Sequence, residues 1–197
     1  QYLLRRTYNV KAGDTILAHA AAGGVGLILC QWAKAIGATV IGTVGSDEKA
    51  ALAKANGCDH AIVYTREDFV ARVKEITDGK GVPVVYDSVG KDTFMKSLDC
   101  LSPLGLMVIF GNSSGNAPDL PTGMLAAKGS LFVTRPTLMT YMAKREDLVK
   151  SADDLFGMVG SGKVKIDVRQ TYALKDATKA HQDLEARKTT GSTILIP

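Results

Sequence analysis

The sequence predicts an α/β fold: a doubly wound, six-stranded parallel sheet followed by a strand-helix-strand tail. Three observations carry this. Short apolar runs alternate with segments of helical periodicity. The runs are apolar at successive positions, as strands buried on both faces require. The links are short, so each helix must be the right-handed crossover between neighbouring parallel strands.

Thr15–Ala20 (TILAHA) reads as the first strand. Gly24–Ile36 is the helix after it, closed by Gly37. Thr39–Val44 (TVIGTV) is the second strand. Asp47–Asn56 is a helix capped by Ser46 or Asp47 and ended by Gly57. Ala61–Tyr64 (AIVY) is a strand, and Asp68–Ile76 is amphipathic, with Phe69, Val70, Val73 and Ile76 on one face. Val82–Asp87 (VPVVYD), a helix over Thr93–Leu101 and the strand Leu106–Phe110 (LMVIF) follow. A loop rich in glycine, serine and proline leads to a short helix at Met124–Lys128 and a sixth strand, Leu131–Thr134 (LFVT).

Two segments stand outside this alternation. "QYLLRRTYNV" has the pattern of the end of an amphipathic helix with no cap before it. After a helix at Asp147–Gly160, "KVKIDV", "LKDATKAHQDLEARK" and "STILIP" read as a strand, a helix and a strand left over. The expected division is residues 1–162 for the sheet and 163–197 for a tail belonging to a second domain, in a chain that is a fragment of something longer.

At 197 residues and 46% hydrophobic, the chain buries enough surface to need no staples. Cys30, Cys58 and Cys100 are far apart and odd in number, so a disulfide framework is not expected and a reducing cytoplasm is the natural setting. The net charge of +4 comes from basic residues interleaved with acids, which does not indicate a nucleic-acid surface. No apolar stretch is long and uninterrupted enough to suggest a membrane span.

The glycine cluster carries the first chemistry. Ala21-x-Gly23-x-x-Gly26 falls between the first strand and its helix, a dinucleotide fingerprint of the Rossmann type with alanine in the first glycine position. Gly23 lets the backbone approach a pyrophosphate. Gly26 lets helix and strand pack closely. The helix N-terminus offers free N–H groups to phosphate.

NAD sites carry an acid about 20 residues beyond the glycines, for the ribose 2′-hydroxyl. Here the second strand ends in Val44, Gly45 and Ser46, with Lys49 one turn into the next helix. A 2′-phosphate would be repelled by an acid and held by Ser46 and Lys49, so NADPH is the expected cofactor. Asp47 and Glu48 fit if they point away. No paired carboxylates, nucleophile with a base or metal cluster appears, so no catalytic residue and no metal ligand is assigned.

"HAAAGGVG", "YDSVG", "FGNSSG" and the closing "LKDATKAHQDLEARKTTGSTILIP" together resemble the NADPH:quinone oxidoreductases, the zinc-free branch of the medium-chain dehydrogenase/reductases. The resemblance runs the length of the chain but covers only part of a family member, whose N-terminal GroES-like catalytic domain would lie before it. That accounts for Gln1 and for the tail, which in the family returns to finish the catalytic domain.

The resemblance implies that Gly24 and Val25 touch the pyrophosphate, and that Gly45, Ser46 and Lys49 surround the 2′-phosphate. Tyr64 would lie by the adenosine phosphate, and Arg187 would reach the 2′-phosphate from the tail. Val89, Gly111, Asn112, Ser113 and Ser114 end the fourth and fifth strands, beyond whose carboxyl ends ligands bind in such sheets.

The implied activity is reduction of a small-molecule quinone by NADPH, in a cleft with the missing domain. A 2-alkenal or enoyl double-bond reductase and a non-catalytic NADPH-binding module are the alternatives. A homodimer paired through the edge strand "LFVT" is implied, with no nucleic-acid or membrane partner. His19 and Cys30 are expected as core residues, His60 and His181 on the surface, and Asp87 as a loop-fixing rather than a catalytic acid.

Overall fold

The computed structural model describes all residues from Gln1 to Pro197. Six parallel strands form one sheet in the order β3-β2-β1-β4-β5-β6. They are β1 (Thr15–Ala18), β2 (Thr39–Val44), β3 (His60–Val63), β4 (Val82–Asp87), β5 (Leu101–Ile109) and β6 (Phe132–Thr134). Between them run α1 (Gly24–Ile36), α2 (Asp47–Ala55), α3 (Phe69–Ile76), α4 (Phe94–Ser97) and α5 (Thr122–Ala127). This is the doubly wound arrangement expected.

The apolar runs work as two-faced strands. Ile16 and Ala18 of β1 join one core cluster with Val40, Val84, Tyr86 and Val108. Leu17, between them, joins the other with Ile41, Ile62, Val85 and Met107. Alternate side chains thus feed separate cores on opposite faces of the sheet.

Several boundaries differ from the sequence reading, each for a tertiary reason. β1 stops at Ala18, because Ala20 turns the chain with a left-handed backbone, φ +54°. The expected helix Thr93–Leu101 yields early to a 3-10 turn at Leu98–Cys100. β5 starts at Leu101, pairing with Val82 across a register shift before the Leu106–Val84 pairing. The N-terminal segment forms a π-helical turn, Leu3–Thr7, whose Leu3 carbonyl accepts the buried Tyr86 hydroxyl at 3.1 Å. A short helix, α6 (Leu138–Tyr141), which the sequence reading did not place, precedes α7 (Arg145–Gly160).

"KVKIDV" is not a strand. Val164 is fully buried in the main core. The Lys165 backbone is held in both directions by the Gln31 amide, at 2.8 and 3.0 Å. The strand begins later, as β7 (Val168–Ala173), and after α8 (Ala177–Glu185) it pairs only with β8 (Ser192–Ile196), in parallel. "KVKIDV" alternates in polarity and VRQTYA does not, so periodicity pointed to the wrong segment.

Candidate functional site

The sheet order reverses between β1 and β4, and a cleft of about 510 Å³ opens beyond the strand ends there. Its floor is the glycine turn. The Ala20 carbonyl accepts the Gly23 N–H at 2.9 Å, and Gly23 and Gly24 line the cleft. No side chain caps α1, so its first-turn N–H groups and the positive end of its dipole are left for a ligand. Val25 lies in that turn, 53% exposed, without lining the cleft. Gly26 faces inward, against the end of β1.

Gly45, Lys49 and Tyr64 make one wall. A Cβ on Gly45 would stand 3.0 Å from the Tyr64 hydroxyl, so the bare backbone lets the phenol close over the end of β2. Ser46 caps α2, its Oγ accepting the Lys49 N–H at 3.3 Å, and it does not line the cleft. Three of the acids nearby, Asp47, Glu67 and Asp68, are occupied. Arg66 donates to Asp47 at 2.7 Å and holds that carboxyl below its ordinary range. Glu67 accepts the Val63 N–H at 2.8 Å and pairs with Arg72. Asp68 caps α3 through the Val70 N–H at 2.9 Å.

Ser88, Val89, Asp92 and Thr93, after β4, form the opposite wall with Ser113. Asp87 lies beneath it, fully buried. Its carboxylate accepts from Val89 N at 2.7 Å, Gly90 N at 3.0 Å and Thr93 Oγ1 at 2.8 Å, which fixes the loop. Ser114 Oγ donates to the Val89 carbonyl at 2.8 Å and accepts the Asp92 N–H at 3.0 Å. Gly111 packs on Ser88, and Asn112 donates to Asn116 at 3.1 Å. Gly111, Asn112 and Ser114 support the wall from behind without lining the cleft.

The roof comes from the tail. Arg187 and Thr189–Gly191 cross the cleft mouth. The Gly191 N–H donates to the Ala22 carbonyl at 3.0 Å, and Gly191 forms a parallel bridge with Gly23. The Lys49 ammonium donates to the Arg187 carbonyl. A Cβ on Gly24 would lie 3.2 Å from the Gly191 carbonyl oxygen, so this glycine makes room for the tail as well as for a ligand.

His19 lines the cleft at 2% exposure, with its ring edge against Phe69. Ser97 Oγ donates to the Thr93 carbonyl at 2.8 Å, so it accepts from His19 Nε2, also at 2.8 Å. Nδ1 then accepts from Thr43 Oγ1 at 2.8 Å. The ring is thereby set as the neutral Nε2–H tautomer. Burial lowers its pKa, against a smaller opposing pull from Asp87. The native state therefore resists a proton that the unfolded chain takes up below about pH 6.5. Stability is expected to be fully present above about pH 6.5 and to fall as the pH drops below it. His19→Gln should flatten this part of a denaturant-unfolding pH profile; an unchanged profile would mean that His19 does not drive it.

The three cysteines are free and buried, and burial pushes the Cys100 thiol up to about 12. His60 and His181 are exposed, as expected. No group of three or more His, Cys, Asp or Glu side chains is placed to hold a metal. Sequence reasoning missed His19, Thr43, Asp92 and Thr189–Gly191 as cleft residues. His19 and Thr189–Gly191 lay in quoted motifs, but nothing local marks the former as cleft lining or the latter as a roof.

A glycine turn under a cleft at the reversal point of a 3-2-1-4-5-6 sheet defines the dinucleotide-fold dehydrogenase class. The chain belongs to the zinc-binding dehydrogenase family, whose model matches residues 24–163. It is 56% identical over its whole length to a quinone oxidoreductase of Pseudomonas aeruginosa and 49% identical to a 2-haloacrylate reductase of a Burkholderia species. It covers 61% and 60% of those proteins respectively. The crystal structure of Escherichia coli quinone oxidoreductase complexed with NADPH superposes with a TM-score of 0.97 at 56% identity, over all of this chain and 61% of that one. The chain thus spans about three fifths of the length of these relatives.

Proposed function

We propose that the chain is the cofactor-binding part of an NADPH-dependent quinone reductase. The observation that carries this is the end of the cleft beyond β2: Lys49 and Tyr64 line it, Lys49 holds the Arg187 backbone above it, and the neighbouring carboxylates of Asp47 and Glu67 are already paired with arginines. That is a site for a phosphate dianion on the ribose rather than for a 2′-hydroxyl. The residues fit the cofactor: Gly45 leaves a cradle that a side chain would fill, and the α1 N-terminus is uncapped where a pyrophosphate would lie.

Bound NADPH would supply the reducing equivalents; the chain holds and orients it. Gly23 and Gly24 admit the pyrophosphate, with Val25 and Gly26 in the same turn. Lys49, Tyr64 and Arg187 take the 2′-phosphate, with Ser46 fixing the helix that carries Lys49. Val89 and Ser113 face the cofactor, on a wall backed by Gly111, Asn112 and Ser114. No residue of this chain acts as acid or base, and no metal takes part.

A quinone is the acceptor, consistent with the names of the relatives. A second reading, reduction of an activated carbon–carbon double bond, is favoured by the 2-haloacrylate reductase similarity alone. The tail expected at residues 163–197 belongs to a second unit from about residue 166 onward, since Val164 packs in the main core and Gln31 holds Lys165. In support, β7 and β8 pair only with each other and expose Val168 and Ile196. The free edge of β6 pairs across a two-fold axis in a homodimer, and the setting is the cytoplasm. No helix is long and apolar enough to cross a membrane.

The test is titration with NADPH and NADH, alongside Lys49→Ala. A charge-assisted bond contributes about 1.5–3 kcal/mol, so the variant should lose about 10- to 100-fold in NADPH affinity and nothing for NADH. Equal affinity of the parent chain for the two cofactors would overturn the reading.

A further inference from the structure

The roof holds a contact that the cofactor reading does not use. Arg187 sits at φ +58°, a left-handed conformation costly for a side chain with a Cβ, and its carbonyl is held by Lys49. Its guanidinium extends to the far wall, where one nitrogen lies 3.6 Å from Asp92 Oδ2. Both side chains are more than half exposed, at 53% and 57%. The pair is loose: no hydrogen bond joins the two, and the Arg187 fork makes none elsewhere. The Asp92 carboxylate has no other partner, since the bond from Ser114 goes to its backbone N–H.

We propose that Asp92 is a specificity-determining residue: its carboxylate is an internal stand-in for phosphate that holds the Arg187 guanidinium on the far wall until a 2′-phosphate takes it away. This rests on the NADPH reading above. Lys49 is tied to the Arg187 backbone and Asp92 to its side chain, so both ends of the residue are held before the cofactor arrives. A dianionic phosphate with oxygens placed for bidentate pairing outcompetes one carboxylate in a loose, solvent-screened contact. NADH carries no group that could make the exchange. Asp92 therefore takes back part of the affinity contributed by the 2′-phosphate and leaves the nicotinamide end untouched.

The experiment is calorimetric titration of the parent chain, Asp92→Asn, Arg187→Ala and the double variant with NADPH and with NADH. Asp92→Asn is expected to bind NADPH about two- to five-fold more tightly, as release of an exposed ion pair allows, with NADH unchanged. In the Arg187→Ala background the Asp92 substitution should have no effect on either cofactor. Weaker binding of both cofactors by Asp92→Asn would overturn the proposal, because it would make Asp92 a direct contact or a support of the wall. Unchanged NADPH affinity would overturn it as well. Failure of the parent chain to prefer NADPH over NADH would sink the underlying cofactor reading, a result distinguishable from both. Asp92→Asn keeps the backbone bond from Ser114, and a thermal melt matching the parent verifies that the fold is intact.

Discussion

Gly26→Ala is expected to destabilise the domain by about 3 kcal/mol or more, near the top of the range for overpacking. A Cβ there would stand 2.3 Å from the Ala20 carbonyl oxygen and 2.7 Å from the Ala21 carbonyl group. These are backbone atoms with nowhere to go. Ala20 is already in a left-handed turn, and the carbonyl oxygen of Ala20 accepts the Gly23 N–H. Ala21 is completely buried, and its N–H is bonded to the Thr43 carbonyl at 3.1 Å. Relief would require moving α1 away from β1, which opens the core that Leu29, Cys30 and Ala33 fill. Gly157, in α7, is the control: nothing lies within 4 Å of its added Cβ, and Gly157→Ala should stabilise by up to about 1 kcal/mol through helix propensity. Denaturant unfolding of the two variants reads both effects. A Gly26→Ala protein within 1 kcal/mol of the parent would mean that the turn is looser than its geometry.

Asp87→Ala is the second large effect, about 3–5 kcal/mol. Three donors meet on this carboxylate at 2.7 to 3.0 Å, from Val89 N, Gly90 N and Thr93 Oγ1, in a place with no solvent exposure. Alanine leaves all three unmade, and each buried orphan costs about 1–3 kcal/mol, less than additively. Asp87→Asn should cost only about 1 kcal/mol. Its remaining oxygen keeps the two backbone bonds. The Thr93 hydroxyl lies 3.4 Å from the Gly90 carbonyl and can turn toward it. The Ser88–Thr93 wall should loosen in the alanine variant, so cofactor affinity falls with stability there and is preserved in the asparagine variant. If Asp87→Ala and Asp87→Asn unfold at the same denaturant concentration, the loop does not depend on these bonds.

Reading the sequence worked best where a physical rule leaves few options. β2, β4 and α1 appear with the boundaries expected, because strands buried on both faces and helices ended by glycine leave strong local marks. Gly45 and Lys49 were legible from an absence, the acid that a ribose hydroxyl would call for. Asp87 was legible as a loop-fixing residue at a strand end. The misreading came at "KVKIDV", whose alternation mimics a strand, while the true β7, VRQTYA, has none. There Val164 was settled by a place in the core that only the folded sheet provides.

The sequence by itself determined the sheet, its crossovers and the glycine turn, because these follow from periodicity and from steric limits acting within a few residues. Only the tertiary structure decided the roof and the charge balance of the cleft. Arg187 meets Lys49 from 138 positions away, and Gly191 meets Ala22 and Gly23 across a longer span still. Whether Asp47 faces a phosphate or an arginine is likewise invisible until β3 brings Arg66 beside it. Contacts of that kind depend on how separate cores close upon one another, and no local pattern encodes them.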